Sequence, residues 1–131
     1  MKEPIIEIDV ACKDAISVKG HGRDIVMIPF TGTASGPHFT GTVVGEGVDT
    51  QKISPDGGVF LSARYMLEGR DAEGKPCKVF IENQGSEETG FHPLIVTDSE
   101  YLSRWEAASL VSTIEGKPGG VLVRIYEDHQ N

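Results

Sequence analysis

The stretch VFLSARYMLE, residues 59–68, decides the fold class of this chain, because its residues alternate between two faces with the period of a β-strand. One face carries Leu61, Ala63, Tyr65 and Leu67, and the other carries Ser62, Arg64, Met66 and Glu68. A strand with one apolar face packs that face into a core. We therefore predict a β-strand here, and we expect Leu61→Ala to destabilise the domain by ~2–5 kcal/mol, as truncations of buried leucines do.

The same alternation continues on both sides of this stretch, between turns rich in glycine and proline. Further strands are predicted at residues 6–10, 25–33, 39–44, 77–83, 94–96, 107–114 and 121–126. The turn signals are SPDGG at 54–58, DAEG at 71–74 and GKPGG at 116–120. Helix is restricted to one short turn, which Asp98 or Ser99 is placed to cap.

This pattern predicts an all-β fold in which residues 1–131 form a single domain. Strands joined by short turns form either a sandwich or a barrel, and consecutive hairpins favour the barrel. Gly32 and Gly41 lie inside predicted strands, where glycine allows the bends that a closed barrel needs. We therefore predict a closed antiparallel β-barrel of about eight strands with little helix.

The charge of the chain excludes several classes of partner. Twelve basic residues against twenty acidic ones give a net charge of −8, whereas nucleic acids and anionic membranes attract basic surfaces. Charged residues such as Lys78 and Glu82 lie within predicted strands, which argues against a barrel with a lipid-facing band. The first residues, MKEP, do not resemble a signal peptide. We expect a cytoplasmic protein in which Cys12 and Cys77 are reduced.

The sequence carries no motif for a metal, a cofactor or a nucleophile. Its histidines, at positions 21, 38, 92 and 129, are scattered without the spacing of metal ligands. Neither cysteine has a neighbouring histidine, and the Gly-x-Ser-x-Gly motif is missing. The glycines at 45 and 47 belong to a loop between strands and do not open a helix that would bind phosphate. We therefore predict neither a metal nor a cofactor.

Several short segments resemble, in order and spacing, a family catalogued as domain of unknown function 3237. They are IPFTGT at 28–33, GPHFTG at 36–41, GVD at 47–49, DG at 56–57, ARY at 63–65 and VFIENQG at 79–85. The resemblance covers roughly the middle half of the chain and implies an eight-stranded antiparallel barrel, while the biochemical role of the family is unsettled. This chain has Thr50 where the family tends to place tryptophan, which predicts a different ligand or none.

Arg64 has two orientations that the sequence leaves open. The period-two alternation turns its side chain outward, where the stem packs over the barrel surface. The resemblance favours the inward orientation, because Arg64-Tyr65 is among its best-matching pieces. A buried guanidinium needs an anionic ligand or a carboxylate partner, and Asp49, Glu46 and Glu82 are candidates.

Asp49 also has two interpretations. It follows Gly47-Val48 at the edge of a predicted strand, where a carboxylate can act as a general base at a barrel mouth. The same position suits the cap of an Asx-turn, which has no chemical role.

The favoured function is a barrel that binds a small polar or anionic molecule at its mouth. Asp49 and Arg64 are the predicted catalytic pair, as acid–base group and anion clamp of an isomerase, cyclase or lyase. The other predicted ligand-binding residues are Tyr65, Asn83, Glu46 and His38. Whether the protein is an enzyme is left open. The alternative is a non-catalytic structural or oligomerisation barrel with a filled interior, which would assemble with further copies of the chain as a homo-oligomer.

Overall fold

The computed structural model of this chain describes residues 3–128 and consists almost entirely of antiparallel strands. The strands are β1 Ile6–Cys12, β2 Ile16–Lys19, β3 Asp24–Ser35, β4 Phe39–Val43, β5 Gly47–Ile53, β6 Val59–Asp71, β7 Pro76–Ser86, β8 Gly90–Thr97, β9 Leu110–Lys117 and β10 Gly120–Glu127. Helix within the described residues is limited to one 3-10 turn, Leu102–Trp105. The prediction of an all-β fold with one short helical turn is confirmed.

The strands close into a barrel because β1 pairs with both β10 and β3. From β10 the ring continues through β9, β8 and β7 to β6. Strands β4 and β5 both lie between β6 and β3, and they pair with different parts of those two longer strands. Among the described strands, β4 and β5 share one place in the ring and β2 pairs with β3 alone, so these strands form a barrel of eight strand positions. The predicted closed barrel of about eight strands is confirmed.

The β6–β7 hairpin is the longest element of the wall and shows how local sequence sets the register. Its ladder runs from Leu61 opposite Gly85 to Arg70 opposite Pro76. In the turn, Asp71 Oδ1 accepts the backbone N–H of Glu73 at 2.9 Å and that of Lys75 at 3.1 Å. Gly74 completes this turn at a φ of +77°, a conformation that side chains disfavour.

One end of the barrel is filled by apolar side chains and sealed by the 3-10 turn, and we call it the closed end. Leu102 and Trp105 of that turn are buried. The Ser99 hydroxyl accepts the N–H of Leu102 and donates to Asp71 Oδ2, which ties the turn to the β6–β7 hairpin. The most deeply buried strand residues, at 0–1 % exposure, are Ile6, Ile8, Phe39, Leu67, Val79, Ile81 and Ile125. Each contributes about 1.5–3 kcal/mol of burial free energy.

The opposite end, where β1, β5 and β7 finish, is less filled, and we call it the open end. The inward-facing Leu61 is only partly buried there, as are Phe91 and Ile114. Strand β2 extends the sheet at this end and is exposed along its whole length. No helix among residues 3–128 is long and apolar enough to cross a membrane. His129, one of the four histidines, lies outside the described residues.

Candidate functional site

Asp49 faces the interior of the barrel, and Gly47 on the same strand shows why. A Cβ atom at Gly47 would lie 2.4 Å from the Phe30 ring and 2.7 Å from Tyr65 Cβ, and both of those residues are buried in the core. Gly47 therefore occupies the inner face of β5. Side chains two residues apart on a strand share a face, so Asp49 and Gln51 point inward as well.

The Asp49 side chain is half-buried, and one of its two carboxylate oxygens is buried and unsatisfied. Asp49 Oδ2 accepts a hydrogen bond from Gln51 Nε2 at 2.9 Å. Asp49 Oδ1 is buried and has no hydrogen-bond partner among residues 3–128. Burial raises the pKa of the Asp49 carboxyl above its usual value, and the hydrogen bond from Gln51 offsets part of this rise. Asp49 is thus a carboxyl group whose protonated state is more stable than that of an exposed aspartate and which has an acceptor atom without a partner among the described residues.

A second polar group, formed by Asn83 and Ser112, lies on the same inner wall. Ala63 of β6 pairs with Asp49 on one side and with Asn83 on the other. Two strand spacings therefore separate Asp49 from Asn83 along the wall, which corresponds to about 10 Å. Asn83 is 2 % exposed, and its Oδ1 accepts the Ser112 hydroxyl at 3.0 Å. The small Ala63 side chain leaves room between the two polar groups.

Cys12 completes the polar residues near Asp49. It lies opposite Phe30 at the end of β1, where its free thiol belongs to an exposed residue at the open end of the barrel. Burial raises the pKa of the Cys12 thiol, and the nearby Asp49 charge raises it further. The thiolate is the nucleophilic form of cysteine, so Cys12 is not activated for nucleophilic attack.

A cavity of about 880 Å³ lies at the open end of the barrel, and Asp49, Asn83, Ser112 and Cys12 are not among the residues that line it. Its size falls within the range of pockets that hold small molecules, about 300–1,000 Å³. Gln51, which hydrogen-bonds to Asp49, is part of the cavity wall, and Leu61, Phe91 and Ile114 supply its apolar surface. The rim carries charges of both signs, from Arg23, Lys52, Asp56, Glu87 and Glu88.

Arg64 lies on the outer face of the barrel, away from this cavity. It is exposed and pairs with Val48 and Glu82, whereas its neighbour Ala63 pairs with Asp49. Adjacent residues of a strand point to opposite faces. Asp49 and Arg64 are therefore on opposite sides of the barrel wall, and the predicted pairing of the two in one pocket is wrong. The outward orientation that the alternation indicated is the one the structure has.

The other predicted ligand-binding residues are dispersed. Tyr65 points inward but is 5 % exposed and packs edge-on against Phe30, with 5.2 Å between ring centroids. Burial raises the pKa of the Tyr65 hydroxyl. Glu46 is exposed in the turn before β5, where it pairs with Lys13. Neither residue lines the cavity described above.

His38 lies at the closed end of the barrel. Its Nδ1 shares a hydrogen bond of 2.7 Å with the Tyr101 hydroxyl, and its ring centroid is 4.7 Å from that of Trp105. Among the predicted ligand-binding residues, only Asn83 lies in the same row of the inner wall as Asp49. No group of three or more potential metal ligands comes together in the part of the chain that the structure describes.

Three residues of this site were missed in the sequence: Gln51, Cys12 and Ser112. Gln51 carried a usable signal, since it lies two residues after Asp49 and therefore on the same strand face. Cys12 and Ser112 come from β1 and β9, which are remote in sequence from β5. Their proximity follows from the closure of the barrel and has no local signature.

A comparison with known families matches residues 2–91 to the family described as Protein of unknown function (DUF3237). The match covers more than half of the chain and includes the whole of β5, β6 and β7 with their inward-facing Asp49, Ala63 and Asn83. The resemblance predicted from the short segments between residues 28 and 85 is confirmed.

Individual relatives agree with this family and fold. A UPF0311 protein of Clostridium acetobutylicum is 38% identical over 64 residues, which are 49% of this chain and 38% of the relative's length. A crystal structure of a protein with unknown function from the same organism has a TM-score of 0.81 at 25% identity, covering 97% of this chain and 95% of that one. An enzyme from Penicillium herquei has a TM-score of 0.73 at 16% identity, covering 95% and 92%, which shows a common fold alone.

Proposed function

This chain belongs to the DUF3237 family of proteins of unknown function, and from that premise we propose that its barrel binds a small uncharged molecule in the open end. The molecule carries a hydroxyl or carbonyl group that meets Asp49. Asp49 then acts as the acid–base group of a proton-transfer reaction such as an isomerisation, a cyclisation or an elimination. This proposal keeps Asp49 and Asn83 from the predicted site and leaves out Arg64.

The unsatisfied oxygen of Asp49 is the observation that carries the proposal. A buried acceptor without a partner costs about 1–3 kcal/mol, and Asp49 Oδ1 is such an atom among the described residues. A ligand hydroxyl that donates to this oxygen would recover that free energy. The hydrogen bond from Gln51 to Oδ2 holds the carboxylate in position, which leaves Oδ1 as the oxygen without a partner.

The electrostatics of the site favour an uncharged ligand. Arg64 lies on the outer face, so it cannot neutralise an anion beside Asp49, and an ionised Asp49 would repel one. The raised pKa of Asp49 brings the carboxyl nearer to neutral pH, where a side chain exchanges protons with a substrate most effectively. The Penicillium herquei enzyme supports catalysis on this fold only by analogy.

A barrel with a filled interior is the competing function. The apolar side chains of the closed end support it for that half of the molecule. The partly buried Leu61 and Ile114 and the cavity of about 880 Å³ support the ligand-binding function for the other half. The experiment below separates the two.

A thermal-shift screen of small uncharged hydroxyl and carbonyl compounds tests the proposal, with binding of each hit confirmed by ligand-observed NMR. We expect hydroxyl compounds that bind the wild type to lose at least tenfold in affinity in Asp49→Asn, because the substitution can replace the oxygen that accepts the ligand hydroxyl with an amide nitrogen. Asp56→Asn is the matched control, since it makes the same substitution at the cavity rim and should leave affinity unchanged.

Two outcomes would contradict the proposed site. Hits that bind Asp49→Asn and the wild type equally well would remove Asp49 from the site. A screen without hits, together with a crystal structure in which collapsed side chains fill the open end, would favour the filled, non-catalytic barrel.

A further inference from the structure

The outer face of the barrel carries a row of four apolar side chains, three exposed and one half-buried, that crosses four adjacent strand positions. Met66 of β6 pairs with Phe80 of β7, which pairs with Val96 of β8, and the N–H of Val44 donates to the carbonyl of Met66. Val44, Met66 and Val96 are 44%, 41% and 50% exposed. We call Val44, Met66, Phe80 and Val96 the apolar row. An uninterrupted apolar row on the outside of a barrel is a candidate for contact with another molecule.

Charged residues border the apolar row in an antisymmetric pattern. On one side Arg64 pairs with Glu82, so β6 carries the positive charge and β7 the negative one. On the other side Glu68 pairs with Lys78, with 3.7 Å between their charged groups, and the signs are reversed. The four charges therefore alternate around Met66 and Phe80. Such an arrangement is complementary to a rotated copy of itself.

We propose that this face is the interface of a two-fold symmetric dimer of the chain, with the axis parallel to the strands and between β6 and β7. In this arrangement Arg64 meets the partner's Glu82, and Glu68 meets the partner's Lys78. Within the apolar row, Met66 packs on the partner's Phe80. The inference is independent of the proposed function, because it uses the outer face of the wall and none of the residues in the cavity.

The residues that flank Arg64 and Glu82 on the neighbouring strands select this axis. Rotation about it also places Val48, which flanks Arg64, on the partner's Leu94, which flanks Glu82. Leu94 is 45% exposed, so this contact would bury further apolar surface. An axis perpendicular to the strands would satisfy the charges as well. It would, however, bring Leu94 towards the partner's Asp98, two residues beyond Val96, and would leave an apolar side chain beside a carboxylate.

The size of the face suits a reversible dimer. Four strand positions at about 4.8 Å spacing and the three rows of side chains at about 6.8 Å give at most about 390 Å² for each copy. Stable interfaces bury about 800 Å² for each partner, and weaker, transient ones bury less. Each copy carries a net charge of −8, so association depends on the local match of charges at this face. The dimer should therefore dissociate on dilution.

Sedimentation velocity of the full chain over a concentration series tests the dimer. We expect the wild type to pass from monomer to dimer, and Arg64→Glu to raise the dissociation constant at least tenfold by placing like charges together. The double variant Arg64→Glu/Glu82→Arg restores opposite charges and should return the constant to within about threefold of the wild type. Lys19→Glu changes the net charge equally on exposed β2 and should have little effect.

Three results would overturn the inference or part of it. A wild-type chain that remains monomeric at millimolar concentration would exclude the dimer. A dimer that Arg64→Glu does not weaken would exclude this face. If Arg64→Glu/Glu68→Arg restores the dimer and Arg64→Glu/Glu82→Arg does not, the assigned axis is excluded. Circular dichroism of each variant establishes that loss of dimer is not loss of fold.

Discussion

Two aspartates near the open end show how differently a carboxylate can be held. Asp56 accepts hydrogen bonds from the Ser54 hydroxyl and from the N–H of Gly58 in the turn before β6. These hydrogen bonds lower the pKa of Asp56, and the bond from Ser54 has the largest effect. Asp49 receives one side-chain hydrogen bond, from Gln51, and its burial raises its pKa. Ionisation therefore favours the fold at Asp56 and opposes it at Asp49.

The opposite signs predict opposite effects of the same substitution at pH 7. A raised pKa means that the folded chain binds the Asp49 proton more tightly, so the stability this group contributes at low pH is lost as pH rises through its folded pKa. Asp49→Asn removes that loss and should raise the free energy of unfolding at pH 7. Asp56→Asn should lower it. Urea denaturation at pH 3 and pH 7 measures both.

At pH 3 the effect of Asp49→Asn should disappear, because the carboxyl is then protonated in both the folded and unfolded chains. A variant that is equally destabilised at both values of pH would show that Asp49 stabilises the fold by contacts unrelated to its charge.

At the scale of elements, β6 runs from a filled interior to an open one. Leu67 is 0 % exposed and pairs with Val79 across the closed end. Leu61 has the inward orientation that the alternation predicts, but it is partly exposed in the cavity wall at the other end of the strand. The expected cost of ~2–5 kcal/mol for Leu61→Ala assumed complete burial. Leu67 is completely buried and Leu61 is not, so this cost applies to Leu67 alone.

We therefore predict that Leu67→Ala lowers the free energy of unfolding by about 2–5 kcal/mol and that Leu61→Ala lowers it by about 1 kcal/mol. The reason is that truncating Leu67 leaves an internal cavity, whereas truncating Leu61 enlarges a cavity that already reaches solvent. Chemical denaturation of the two variants in parallel is the measurement. Equal costs would mean that the open end is packed shut in solution.

At the scale of the whole molecule, the barrel wall is uneven. The β6–β7 ladder joins every residue from 61 to 70 with a partner. Strands β8 and β9 are joined through the pair Phe91 and Ser112, so the ring has a weak seam beside the cavity. Within residues 3–128, strand β2 pairs only with β3, and all its residues are exposed. Local opening should therefore begin at the seam and at β2.

Native-state hydrogen exchange tests this order. We expect backbone amides of β2 and of the seam around residues 91 and 112 to exchange at least a hundredfold faster than those of residues 63–69 in β6, because fewer hydrogen bonds and contacts must break. Uniform protection around the ring would indicate that the barrel opens only by global unfolding.

The sequence by itself determined the class of fold, the hairpins and the direction of most side chains. These properties depend on residues close together in the chain. Alternation along residues 59–68 orients Leu61 and Arg64, and the DAEG turn allows Asp71 to accept the N–H groups of residues 73 and 75. The order of short segments was also sufficient to identify the family.

The tertiary structure alone decided which inward residues share a site. Asp49, Asn83 and Ser112 lie on three strands whose alignment depends on ladder registers and on the closure of β1 against both β3 and β10. His38 has an equally suitable side chain, but strand direction places it at the closed end. The unsatisfied oxygen of Asp49 likewise results from long-range packing. Such contacts have no local pattern, because the residues that make them are brought together only when the barrel closes.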